Sequence, residues 1–245
     1  MKKRGLSQEA LKTIACITML LDHIGATIVL NCIYRATGAE RVLWMNIYEA
    51  LRTMGRLSFP IYCFLLVEGV FYTKNPWRYG LRLLTCAILA EIPFDLTFYD
   101  KITFAHQSTM VTLLLGFLML EIMKKCPNLL KLLLVLPFAF VAQKLGTDYG
   151  DKGIMLIAVF AFTRDVKFKH LWQFLGIWYV FSPDHRMMFN WLGGIRWTIR
   201  ELAVFAVIPI ALYSGEKTTN SKILQWVFYL FYPAHLLVLH LIQTI

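Results

Sequence analysis

Residues 11–34, LKTIACITMLLDHIGATIVLNCIY, decide the fold. Lys12 stands near one end, apolar side chains fill the middle, and Asp22-His23 interrupts them before a second apolar run that starts at Ile24. About twenty mostly apolar residues are what a helix needs to cross the core of a bilayer. At roughly 1.5 Å per residue, His23 lies on the order of 15 Å along such a helix, near the midplane. An ionisable pair at that depth is costly and by default marks a functional site. Lys12 and His23 are separated by close to three helical turns, so they share one face. Asp22 is rotated by about 100° from His23 and cannot orient it on the same helix. The imidazole's partner is therefore expected from another helix.

Working outward, 58% of the 245 residues are hydrophobic, above the roughly 45–50% of soluble domains. Apolar segments recur throughout, so residues 1–245 read as one integral membrane domain. The N-terminal segment is no cleavable leader, because it carries Asp22-His23 and lacks a small-residue cleavage site. The net charge of +10 reflects basic residues in short loops, as expected on the cytoplasmic side of a membrane. Nucleic-acid binding is excluded, since no basic soluble domain is present to carry it. The five cysteines sit mostly in apolar runs. They form neither a disulfide framework nor a metal spacing, and are read as small packing residues.

Hydrophobic periodicity predicts an all-α, polytopic transmembrane bundle of about nine spans with a cytoplasmic N-terminus, after basic Lys2, Lys3 and Arg4. Following the first span, residues 35–56 form an outer segment whose stretch 44–54 is amphipathic enough to lie in the interface. Spans are expected at 57–73, 83–98, from Thr109 to Lys124, and at 129–142, 154–163, 171–181, 202–213 and 223–241. Residues 182–200, with Trp191, Arg196, Trp197 and Arg200, form another outer segment. Asp148-Tyr149-Gly150 reads as an ordinary turn.

Depth along the helices decides which buried polar groups can meet. Counted from the cytoplasmic end, His23, Glu91 and His235 fall at similar levels, and Asp95 lies a little further out. Glu91 and Asp95 share a face if the helix survives Pro93, which is expected to kink it. Tyr232 and His235, three apart, also share a face. Two imidazoles, a carboxylate and a phenol at one level suit general acid–base chemistry. The plain alternative is that such groups are interhelical hydrogen bonds, and Glu68 beside Gly69 fits that reading equally well. No HxxxH or CxxC spacing supports a metal.

These residues carry a resemblance. MLLDHIG at 19–25 with Lys12, GRLSFPIYCFLLVEG at 55–69, RLLTCAILAEIPFDL at 82–96, TLLLG at 112–116, DYGDKG at 148–153 and FYPAHLL at 231–237 together resemble the TraX family, named for the membrane protein that N-acetylates F-pilin. One departure is His106-Gln107-Ser108, where an asparagine is expected before the fourth span. The family is also similar to larger membrane acyltransferases, the type-3 acyltransferases and the lysosomal heparan glucosaminide acetyltransferase. Those place a basic residue about ten positions before a key histidine, as Lys12 stands before His23.

The resemblance implies a multi-pass protein of the bacterial cytoplasmic membrane that transfers acetyl from acetyl-CoA to an amine or hydroxyl. The acceptor is expected to be a pilin N-terminus, a glycan or a lipid. Lys12, Arg78 and Arg82 are expected to bind the coenzyme's phosphates, with Arg56 and Tyr232 counted among the donor-binding residues. Arg56 and Asp95 also mark the acceptor's way in. His23 is expected to be the general base, oriented by Glu91 or, second, Asp95. Asp22 and His235 complete the candidate catalytic set. A small proton-coupled transporter is the rival reading, because buried Asp, Glu and His also build proton relays. No inverted internal repeat supports it.

Overall fold

The computed structural model describes residues 5–181, 188–191, 195–198, 201–219 and 221–244. The basic residues Lys2, Lys3 and Arg4, together with Arg200 and the side chains of Trp191, Arg196 and Trp197, lie outside the described residues.

The fold is built outward from α1 (Gln8–Ile24). Ser7 caps it, its side chain accepting from the Ala10 N–H at 3.2 Å, as an N-cap serine should. Just past His23, after Ile24, the helix widens into one π turn, Gly25–Val29, before it resumes as α2 (Leu30–Arg35). The Thr27 hydroxyl donates to the His23 carbonyl at 2.6 Å inside that turn. Such turns are rare and concentrate at functional sites.

Next come α3 (Gly38–Gly55) and α4 (Ser58–Tyr72). The stretch expected to lie flat in the interface is part of a longer helix. That helix, α3, packs along α1 and the π turn. The following helix, α5 (Pro76–Tyr99), starts seven residues earlier than expected, because Asn75 caps the Arg78 N–H at 3.0 Å and Pro76 occupies the first turn. It runs unbroken through Pro93.

The last helix, α11 (Lys222–Thr244), packs along α5. Pro233 cannot donate to the Tyr229 carbonyl four residues back. The Cys86 thiol on α5 donates to that carbonyl instead, at 3.0 Å. The Thr97 hydroxyl donates to the Leu236 carbonyl at 2.9 Å. Cys86, Ala90 and Thr97 thus form the stripe of α5 that faces α11.

Between these pairs lie α6 (Thr109–Met123), α7 (Asn128–Lys144), α8 (Gly150–Thr163) and α9 (Lys169–Phe181). The loop before α6 runs beside the loop before α8. Gln107 N–H donates to the Gly146 carbonyl at 3.1 Å, and Asp148 N–H to the Gln107 carbonyl at 2.8 Å. This fixes the first turns of both helices side by side. A short hairpin of β1 (Met188–Trp191) and β2 (Ile195–Thr198) interrupts the helical chain. The span expected at 202–213 is not one helix: a 3₁₀ stretch, Glu201–Ala206, leads into the five-residue α10 (Val207–Ala211). Pro209 has no N–H to return to Phe205, which removes one α-type bond at that point.

The molecule is therefore a helical bundle. Among the described residues, three helical stretches are long and apolar enough to cross a membrane: Gln8–Arg35, Gly38–Tyr72 and Lys222–Thr244. Helix α7 turns Leu129, Leu132, Leu133, Leu136 and Phe140 outward. Contiguous apolar surface of that kind marks a lipid-facing wall. This is a membrane protein.

Candidate active site

Two histidines from opposite ends of the chain meet at the centre. His23 Nδ1 and His235 Nε2 are 2.7 Å apart, the rings within 4° of coplanar. His235 Nδ1 lies 2.7 Å from the Phe231 carbonyl. A carbonyl only accepts, so with both rings neutral His235 Nδ1 carries its proton and Nε2 is the acceptor. His23 Nδ1 must then donate, and His23 Nε2 keeps its lone pair. The backbone sets the tautomer of one ring, and that ring sets the tautomer of the next. His23 is buried and also meets Phe98 and Tyr232 edge-on, with ring centroids 5.5 and 6.1 Å away.

Glu91 and Asp95 are not the partners of His23. They share a face of α5, but it is turned by about 100° or more from the stripe that meets α11. That face looks toward the loop at 103–108. Glu91 accepts from the Ser108 hydroxyl at 2.6 Å and its N–H at 3.1 Å, and Asp95 accepts from the Thr103 N–H at 2.8 Å. Both carboxylates anchor loop backbone.

Asp22 is equally committed. Arg52 and Arg56 donate to its two oxygens at 2.7 and 2.6 Å, with Asp22 and Arg56 side chains both 10% exposed. A Cβ on Gly55 would overlap the Asp22 side chain, so only glycine lets the end of α3 close on α1 here. The trio ties the two helices together just beside His23.

Two cavities approach this centre from opposite ends of the bundle. One, of about 630 Å³, is charged: Asp22, Arg52, Arg56, Asp148 and Lys152 line it together with His23. Burial pushes the Asp148 carboxyl above its ordinary range, against the Thr109 hydroxyl and Arg56, which pull it down. The other, of about 440 Å³, is walled by aromatics that include Tyr79, Phe228, Tyr229 and Tyr232. Lys12, Arg82 and Lys217 bring cations to it. Lys12 lies over the Phe228 ring at 5.4 Å, and Arg82 between Tyr79 and Tyr229 at 5.8 Å from each. Arg82 Nε is buried without a hydrogen-bond partner. Met19, Tyr62 and Thr109 line both cavities and so form the septum between them.

The structure thus brings together His23, His235 and Tyr232, and separately Lys12 and Arg82. Arg56 stands in the charged cavity, away from Lys12 and Arg82. Arg78 is exposed at the start of α5 and lines neither cavity. Glu68 lines the aromatic cavity and pairs with Arg164 at 3.1 Å. Sequence reasoning missed Arg52, Tyr62, Thr109, Asp148 and Lys217. Of these, Tyr62 and Asp148 stood in conspicuous segments, GRLSFPIYCFLLVEG and DYGDKG.

A family profile described as "TraX protein" matches residues 7–243. The probable fimbrial assembly protein FimC, serogroup H1, of Dichelobacter nodosus is 29% identical over 241 residues, covering 94% of this chain and 92% of that protein. No solved structure matches. With the match running through α1 to α11 and over every residue of the central constellation, the chain belongs to the TraX family.

Proposed function

We propose that this is a multi-pass acyltransferase of the bacterial inner membrane. It moves acetyl from cytoplasmic acetyl-CoA to an amine or hydroxyl, with its N-terminus cytoplasmic and about nine membrane-embedded helices. The observation that carries the reading is the chain from the Phe231 carbonyl through His235 to His23, which leaves His23 Nε2 as an acceptor at a wall of the charged cavity. A neutral imidazole in that tautomer takes the acceptor's proton as the acceptor attacks a thioester.

The aromatic cavity fits the donor. Its mouth, near Gln8 and Lys217, offers Lys12, Lys217 and Arg82 to phosphates, and the unpaired Arg82 Nε still has a bond to give. The narrow arm of the coenzyme fits between the aromatic rings, and the acyl end then reaches the septum below Tyr232. The acceptor enters from the charged cavity. The name of the Dichelobacter nodosus relative and the reaction of the family's namesake favour a pilus-subunit amine, with glycan and lipid hydroxyls as the other acceptors to test.

The test is release of labelled acetate or labelled acceptor from radiolabelled acetyl-CoA by protein purified in detergent. Turnover above a denatured control is expected. A proton-coupled carrier would instead move solute across vesicles without consuming the thioester, and that result would replace this reading.

A further inference from the structure

Helix α6 begins in an unusual way. Its N-cap residue, Ser108, has a side chain able to cap the first turn, yet that hydroxyl donates to Glu91 instead, at 2.6 Å. The Ser108 N–H goes to the same carboxylate. The backbone N–H groups of Thr109 and Met110 have no partner within the helix and no capping side chain. They are the positive end of a 15-residue helix. Thr109 lies in the septum and Met110 lines the aromatic cavity.

A second observation points to the same place. Tyr232 is 4% exposed, and its buried hydroxyl has no hydrogen-bond partner. The hydroxyl's nearest polar neighbours are the Thr109 N–H and hydroxyl, which stand close enough to interact with it but outside ordinary hydrogen-bond geometry. Its ring stands edge-on to His23 and to His235, at 6.1 and 5.7 Å between centroids. Buried hydroxyls rarely stay unpaired unless something else is meant to pair with them.

We infer that the first turn of α6 and the Tyr232 hydroxyl form an oxyanion site, holding the carbonyl oxygen of an acyl thioester beside His23. This rests on the acyl-transfer reading above. The acceptor's nitrogen or oxygen forms a bond to the carbonyl carbon, and the π electron pair moves onto the carbonyl oxygen. His23 Nε2 takes the acceptor's proton. The pair then returns to re-form the carbonyl, the carbon–sulfur bond breaks, and the coenzyme leaves as a thiolate that takes the proton from His23. Between these two events the oxygen carries a full negative charge, and the three donors stabilise it where no water competes. Preset donors of this kind are each worth about 10²–10³ in kcat. Glu91 has a part here too: by occupying Ser108, it keeps the capping side chain off the N–H groups that the substrate needs.

The experiment uses two kinds of variant and two ligands. Tyr232→Phe removes the hydroxyl and keeps the ring. Thr109→Pro removes one N–H at a position where helices accept proline; Ser108, at φ −63° and ψ 162°, already has the extended backbone that proline requires before it. Thr109→Ala is its control, losing the hydroxyl bond to Asp148 but keeping the N–H. Tyr232→Phe is expected to lower kcat about 10²–10³-fold, with the KM for acetyl-CoA and the CoA-induced rise in Tm unchanged. Thr109→Pro should fall at least about tenfold below Thr109→Ala. Carboxymethyl-CoA, with anionic oxygen near the acyl position, should bind wild-type protein more tightly than CoA and lose that advantage in Tyr232→Phe. Wild-type kcat in Tyr232→Phe, with no Tyr232-dependent preference for carboxymethyl-CoA, overturns the oxyanion site alone. Loss of CoA binding in step with kcat makes Tyr232 a packing residue and also overturns it. Failure of the wild-type protein to bind CoA at all removes the acyl-transfer reading with it.

Discussion

The two cavities differ in how their polar groups are used. In the charged cavity the groups next to His23 are spent on one another: Asp22 takes both Arg52 and Arg56, and Asp148 takes Thr109. In the aromatic cavity Glu68 pairs with Arg164, yet Arg82 Nε and the Tyr232 hydroxyl are buried without partners; the charged cavity has the Thr147 hydroxyl in that state. A ligand is expected where bonding capacity is left over, not where charge is densest. The Asp22 clamp therefore holds helices in place, and a guanidinium and a phenol on the aromatic side keep bonds to give.

The largest effect that tests this contrast is at the junction. Losing a general base costs about 10²–10⁴-fold in rate, so His23→Ala should abolish acetyl transfer while CoA still shifts Tm. Acetyl-CoA turnover by a monodisperse preparation measures it, and wild-type turnover would remove His23 from the chemistry.

Next is the clamp. Taking one partner from a buried ion pair costs about 3–5 kcal/mol. Asp22→Ala should therefore lower Tm sharply in detergent. Because two guanidiniums lose their counter-charge together, Arg52→Ala should cost less than Asp22→Ala. A Tm unchanged by Asp22→Ala would mean that the charged cavity is not the structural one.

A smaller effect is expected at the mouth of the aromatic cavity. Each charge-assisted contact is worth about 1.5–3 kcal/mol. Lys12→Ala or Arg82→Ala should raise the KM for acetyl-CoA roughly ten- to hundredfold with kcat little altered. Equal affinities in both variants would place the phosphates elsewhere. Glu91→Gln should be the mildest of the four. The amide oxygen still accepts from Ser108, so the loss is about 1 kcal/mol or less, read as a few-fold change in kcat.

That last expectation reverses the one drawn from sequence, and the reason is geometric. Counting residues along a helix gives depth, and depth alone matched Glu91 to His23. It does not give azimuth. The stripe of α5 facing α11 runs through Cys86, Ala90 and Thr97, which leaves Glu91 and Asp95 turned toward a loop. Tyr232 and His235, read from their spacing as sharing a face, do both reach His23, though nothing in the sequence said that α11 turns that face to α1. The ion clamp was illegible for another reason. Asp22 lies 34 positions from Arg56, and the segment between them read as an interfacial helix with no register to α1. The bundle itself was legible, since apolar length and periodicity are local signals. The 3₁₀ stretch at 201–206 was not, because an apolar run looks the same whichever way its backbone bonds close.

The septum has an electrical consequence. Met19, Tyr62 and Thr109 are common to the walls of two cavities reaching in from opposite ends. When those spaces face opposite sides of an energised membrane, most of the transmembrane voltage falls across this thin layer. A unit charge crossing it does work of about 2.3 kcal/mol per 100 mV, so a proton taken from an acceptor on one side and given to the coenzyme on the other would draw on that voltage. On the acyl-transfer reading, each acetyl passed one way across the layer is matched by one proton passed the other way through His23.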